Sequence, residues 1–236
     1  MASTLQPTQP RIGASTSVLP SAVASWLRYI APLTALSALV LSPLLLAALR
    51  TRAPHDQPGA NTILALGWTM LATAWLGQLV LVGGASAMTR GRPSQLRAFG
   101  GGLVQLVRAI IPCVLAAASI AIGGLALAVP GVALLVLLSL TGASRERGAR
   151  ARLADSIAVA RKHLPAVALV VAGMLAIDAA IGLVAYRMLV APRPPHPTPA
   201  QLTAARDFVR AIAIGLVLAS PLPATMLATI RTRAEP

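Results

Sequence analysis

Asp178 carries the most chemical potential in this sequence, because it is the one acid inside a long apolar run. An ionisable side chain at membrane depth is costly and commonly marks a proton relay, a cation site or the floor of a polar cavity. The competing reading is structural, a neutral carboxyl hydrogen-bonded between two helices. Asp178 stands 13 residues beyond Pro165, roughly two-thirds of the way across a bilayer at about 1.5 Å per residue. Ser42, in the first apolar run, is expected at nearly the same depth, and Gln78 lies in the second run. Arg108 belongs to the cytoplasmic third, too far away to pair with Asp178, while Arg210 could snorkel toward it from the outer end of the last run. Asp178, Ser42, Gln78 and Arg108 are therefore the intramembrane polar candidates.

A second group is cationic. Between Ser144 and His163 the chain carries Arg145, Arg147, Arg150, Arg152, Arg161 and Lys162, offset only by Glu146 and Asp155. On a helix, Leu153, Ile157, Ala160 and Leu164 share one apolar stripe, leaving the charges to the other faces. That pattern predicts a short amphipathic helix lying in the membrane interface. There each Lys or Arg contributes about 1 kcal/mol of attraction to anionic headgroups. The plainer alternative, compatible with the first, is that these charges only orient the protein in the bilayer.

Other chemistries have little to build on. His55, His163 and His196 are far apart and lack metal-ligand spacing. Cys113 is the single cysteine, so it can form neither an internal disulfide nor a cysteine metal site. No phosphate-cradling glycine loop and no nucleophile–base pairing occurs. An intramembrane enzyme needs several polar side chains converging at one depth, and the sequence offers no such set. The expectation is no catalytic residue, no metal and no cofactor.

The elements that would hold these residues follow from composition. Of 236 residues, 56% are apolar and only 11% charged, against about 25% charged in a soluble domain, so the chain lacks the polar surface for solution. The net charge of +14 does not imply nucleic acid, because the arginines lie between apolar runs. Crossing the hydrocarbon core takes about 20 apolar residues. The uncharged runs predict an all-α polytopic transmembrane bundle with six spans, at about 29–49, 61–82, 103–122, 125–141, 165–186 and 208–230. Trp26 and Tyr29 are placed for an aromatic belt. Ala109–Ser144 holds no charge and is too long for one span, so a hairpin turning at Gly123-Gly124 is expected, with a kink at Pro130-Gly131. Ser94 is the expected cap of an amphipathic lead-in to the third span. Residues 1–25 read as a mobile tail rather than a signal peptide, ahead of a single membrane domain over 26–233. The proline-rich loop from Pro192 to Pro199 reads as extended. Leu39–Ala53 and Leu216–Ala234 both contain Ser-Pro-Leu and end Arg-Thr-Arg-Ala, but they do not align without a gap. They are taken as a likeness of composition, not a repeat.

Six spans put the N-terminal segment, the loop near residue 90 with Arg108, the 144–164 segment and the C-terminus on one side, with 14 basic residues against 6 on the other. The positive-inside rule makes the richer side, and both termini, cytoplasmic.

Residues 93–183 combine a Gly/Pro/Ser loop, a glycine-turned hairpin, Val129-Pro130-Gly131-Val132, Ala154-Asp155-Ser156 in a charged segment, and a span opening near Pro165. This resembles the membrane region beside the catalytic domain of some bacterial glycerophosphodiester phosphodiesterases, and related stand-alone six-helix proteins. The resemblance implies a six-helix bundle in a bacterial inner membrane. It does not imply the phosphodiesterase activity, since the spans leave no stretch for a catalytic barrel. Family members often carry an acid near the start of the charged segment, where only Glu146 could match. The expected function is a non-catalytic membrane scaffold, lipid-associated module or partner of another membrane protein. The competing expectation is a small transporter or channel using Asp178.

Overall fold

A computed structural model describes residues 18–50, 60–90, 94–189 and 198–235. Most of the expected tail, the loop with Arg52 and His55, Arg92 with Pro93, and most of the proline-rich loop with His196 lie outside the described residues. Among the described residues every regular element is helical: α1 (Val18–Arg28), α2 (Ile30–Val40), α3 (Ser42–Arg50), α4 (Ala60–Thr89), α5 (Gln95–Ala126), α6 (Ala128–Leu138), a 3₁₀ turn (Thr141–Ala143), α7 (Ala149–Lys162), α8 (Leu164–Leu189), α9 (Pro199–Ala219) and α10 (Pro221–Ala234). Gln95–Leu125, Leu164–Ile181 and Arg206–Arg233 are long and apolar enough to cross a membrane. The pair α1–α2, bent by 84°, makes a fourth if it counts as one span. The chain is thus an all-helical bundle with several helices suited to a bilayer.

Prolines divide the first and last expected spans. Ser42-Pro43 separates α2 from α3, and Ser220-Pro221 separates α9 from α10. A proline has no N–H to donate to the carbonyl four residues back, so the ladder breaks locally. It resumes at once, through Leu45 N–H to Leu41 O and Ala224 N–H to Ser220 O. The two Ser-Pro-Leu stretches therefore make the same structural event near opposite ends of the chain. Residues 18–25 of the expected tail are instead helix: α1 buries Ala22 and packs along α10.

The central hairpin differs from expectation in its turn. α5 runs through Gly123-Gly124 and ends at Leu127, whose extended backbone (φ −162°, ψ 147°) reverses the chain. The glycines serve the approach of the two arms: a Cβ on Gly131 would lie 2.6 Å from the Gly124 Cα. Pro130 falls in the first turn of α6, where no N–H is needed, so it starts that helix rather than kinking it. α6 has 11 residues, about 16 Å of rise, well short of the expected fourth span over 125–141. Ser94 does precede α5 in extended backbone, but among the described residues its side chain makes no capping hydrogen bond.

The core is built around α4, with α5 and α10 packed against it. Leu33, Leu36, Leu81, Val82, Met88, Leu140, Val167, Val171 and Leu227 are fully enclosed. α8 is the outlier. Only 17% of its apolar stretch is buried, against 39% for the stretch spanning α9 and α10, and Leu169, Ile177 and Leu183 face outward. In a bilayer such a surface is met by lipid tails.

Candidate functional site

The polar interior gathers at one end of the bundle. Arg90, just past α4, forks onto Glu235: Nη2 lies 2.5 Å from Oε1 and Nε 3.3 Å from Oε2. Its Nη2 also donates to the Ala143 carbonyl at 3.2 Å. Arg231, on the last turn of α10, pairs through Nη2 with Asp155 Oδ2 of α7 at 2.9 Å. The Ser144 hydroxyl donates to the same carboxylate oxygen at 2.5 Å. Both partners of that pair are largely enclosed, with side chains 10% and 18% exposed. Burial lowers the pKa of the Arg90 guanidinium, and its hydrogen bond to Glu235 opposes the shift. Arginine remains charged under such a shift, so its counter-ion must stay close.

The connection between α6 and α7 is held by side chains reaching its backbone. Gln105 Nε2 spans the Gly142 and Ser144 carbonyls at 3.4 Å each. Arg152 donates from Nε to the Glu146 carbonyl at 2.9 Å and from Nη1 to the Arg108 carbonyl at 3.2 Å. Gly148 takes φ 93° to start α7, a conformation L side chains rarely adopt. The Ser156 hydroxyl donates to the Leu137 carbonyl at 2.8 Å, fastening α7 to α6. On the other flank Arg233 bonds Ser21 of α1, and Gln95 bonds the Arg28 carbonyl. Described residues of the four segments assigned to one side by charge counting, the N-terminal segment, the loop near residue 90 with Arg108, the 144–164 segment and the C-terminus, are thus bonded to one another.

Among the cationic candidates, Arg145, Arg147, Arg150, Arg161 and Lys162 are exposed. Arg152 differs, being only 8% exposed with its guanidinium turned onto carbonyls. It fastens the loop rather than offering charge to a ligand.

The intramembrane candidates do not form one cluster. No hydrogen bond or ion pair joins any two of Asp178, Ser42, Gln78 and Arg108 among the described residues. Gln78 is buried and donates from Nε2 to the Ser220 carbonyl at 3.1 Å, across the α9–α10 break. Ser42 opens α3 half-buried, and the Arg108 side chain is exposed. Asp178 is half-buried on α8, in no ion pair among the described residues. Arg210 does not reach it: Nη2 donates to the Leu49 carbonyl at 3.1 Å, and Nη1 lies 3.7 Å from Asp207. Met174, one turn before Asp178, lines a cavity of about 10 Å³ with Trp75, Gln78, Ser139 and Leu227. That is space for about one water molecule. Cys113 is buried, and no His/Cys/Asp/Glu group suited to a metal ion occurs among the described residues.

The ion pairs Asp155–Arg231 and Arg90–Glu235 were not among the expected site residues. One signal pointed to them: with six acids against twenty basic residues, each acid is a scarce counter-ion. Compared with known protein families, curated proteins and solved structures, the chain finds no match.

Proposed function

We propose that this chain is a six-span protein of a bacterial inner membrane that works by binding, as a scaffold, a lipid-associated module or a partner of another membrane protein. The six spans are α2–α3, α4, α5, α6 with its following turn, α8, and α9–α10. The observation that carries the reading is the division of labour at the polar end. The enclosed charges hold helices together through Asp155–Arg231 and Arg90–Glu235. Arg145, Arg147, Arg150, Arg161 and Lys162 remain exposed beside them, available to anionic headgroups. The resemblance to the membrane region of the phosphodiesterases fits the same architecture.

Reporter fusions at His55, Gln95, Asp155 and Ala200 test the topology. Fusions at Gln95 and Asp155 are expected in the cytoplasm, and those at His55 and Ala200 outside. A cytoplasmic signal at Ala200 overturns six spans. Lipid selectivity is tested by replacing the five exposed cations with glutamine. Co-purified phosphatidylglycerol should fall relative to phosphatidylethanolamine, and an unchanged ratio rejects the lipid role.

A second reading, a small transporter or channel, draws on Asp178, one turn from the cavity-lining Met174. It requires that proteoliposomes of the wild-type chain pass protons or monovalent cations, and that Asp178→Asn abolish the flux. Equal flux with and without the protein removes this reading.

A further inference from the structure

The Arg90–Glu235 fork sits in a cluster whose cations outnumber its acids. Arg145 and Arg231 both lie close enough to Arg90 to repel its charge. The acids are Glu235 and Asp155. Both Glu235 oxygens serve Arg90, and Arg231 Nη2 is left 3.9 Å from Oε1, beyond hydrogen-bond length. The Arg231 side chain is only 10% exposed, and its Nε is buried with no acceptor among the described residues. Both carboxylate oxygens are taken by Arg90, whereas the two terminal oxygens of a lipid phosphodiester, set tetrahedrally on a larger atom, can be shared one each between Arg90 and Arg231, and free phosphate has oxygens to spare. Glu235 lies one residue past α10 in extended backbone, with its side chain 27% exposed. It can swing out without unwinding the buried turns of α10.

We propose that Glu235 occupies a phosphate site, and that the phosphate of an anionic lipid headgroup, or free phosphate, displaces it onto Arg90 and Arg231, with the exposed Arg145 at the mouth. Asp155 stays on Arg231 Nη2 and limits the charge the site accepts. This rests on the reading that the polar end meets anionic lipid. It adds a defined site whose access the chain's own carboxylate controls.

The test uses the full chain in neutral detergent, titrated separately with dihexanoyl phosphatidylglycerol, dihexanoyl phosphatidylcholine and inorganic phosphate, with thermal stability as the readout. Removing the competitor by Glu235→Gln should tighten phosphatidylglycerol binding roughly tenfold, and Glu235→Gln with Arg90→Gln should lose that gain. A gain for phosphatidylglycerol alone assigns the ligand as a lipid headgroup, and a gain for inorganic phosphate as well assigns it as phosphate itself. No gain in either overturns the proposal. If the glutamine variant does not fold, Glu235→Asp, which shortens the reach of the carboxylate, is titrated with the same expected direction. Neutralising Arg147, Arg150, Arg161 and Lys162 separates this site from the surface reading. Loss of lipid preference there with no gain at Glu235 leaves the surface reading standing and ends this one. A gain at Glu235 with no surface effect does the reverse.

Discussion

Arg231 and Asp155 lie 76 residues apart and meet at 2.9 Å in a largely enclosed site. Removing one partner of such a pair strands the other charge. Asp155→Ala is therefore expected to cost about 3 kcal/mol, read from unfolding of the purified protein in mixed micelles. The double variant Asp155→Ala with Arg231→Leu should recover part of that loss. Strictly additive losses would show that the two residues are not coupled. Asp178 gives the opposite expectation, because it has no ion-pair partner among the described residues. Asp178→Asn removes an ionisable group from a membrane-facing helix, so stability should hold or rise. A large drop would reveal an interaction this arrangement lacks.

At the scale of elements, the approach of the α5 and α6 arms at Gly124 and Gly131 depends on the absence of a side chain. Gly131→Ala would drive a Cβ to 2.6 Å from the Gly124 Cα, and separating the arms should cost about 2 kcal/mol. Gly173 on α8 is the control, since a Cβ there meets nothing within 4 Å among the described residues. Gly173→Ala should be neutral or stabilising by about 0.5–1 kcal/mol, the helix-propensity gain. Equal effects at both positions would contradict the packing described. The Ser-Pro breaks belong to this scale too. Ser220 O accepts both from Ala224 N–H, four residues ahead as in a continuous helix, and from Gln78 Nε2, which ties the α9–α10 break to α4.

Taken whole, the molecule joins the beginning and end of its described chain at one face. α1 packs along α10, and Arg233 reaches Ser21 at 2.8 Å. With Cys113 replaced by alanine, cysteines at Ser21 and Arg233 should be bridged by a short bismaleimide in native membranes. Failure, with both thiols reactive, would separate the two helices. The bilayer-compatible helices, the basic character of one end and the solvent-excluded placement of Cys113 were all legible in the sequence. They depend on runs and charge counts, which are local properties of the chain. Helix ends were less legible. Gly123-Gly124 has the composition of a turn, yet the chain reverses at Leu127, because close packing of two arms selects the same small residue as a turn does. The start of α1 was hidden for a related reason: Val18–Arg28 gains its stability by lying on α10, more than 190 residues later in the chain. The exposed cations could be read directly, but Arg152 could not be told from its neighbours until its carbonyl partners were in view. Sequence alone determined that this chain is helical and built for a bilayer, because apolar run length and backbone satisfaction in hydrocarbon leave few alternatives. Only the tertiary structure decided which charges are enclosed and which are free, because Asp155 with Arg231, and Arg90 with Glu235, are partners that only the folded bundle brings together.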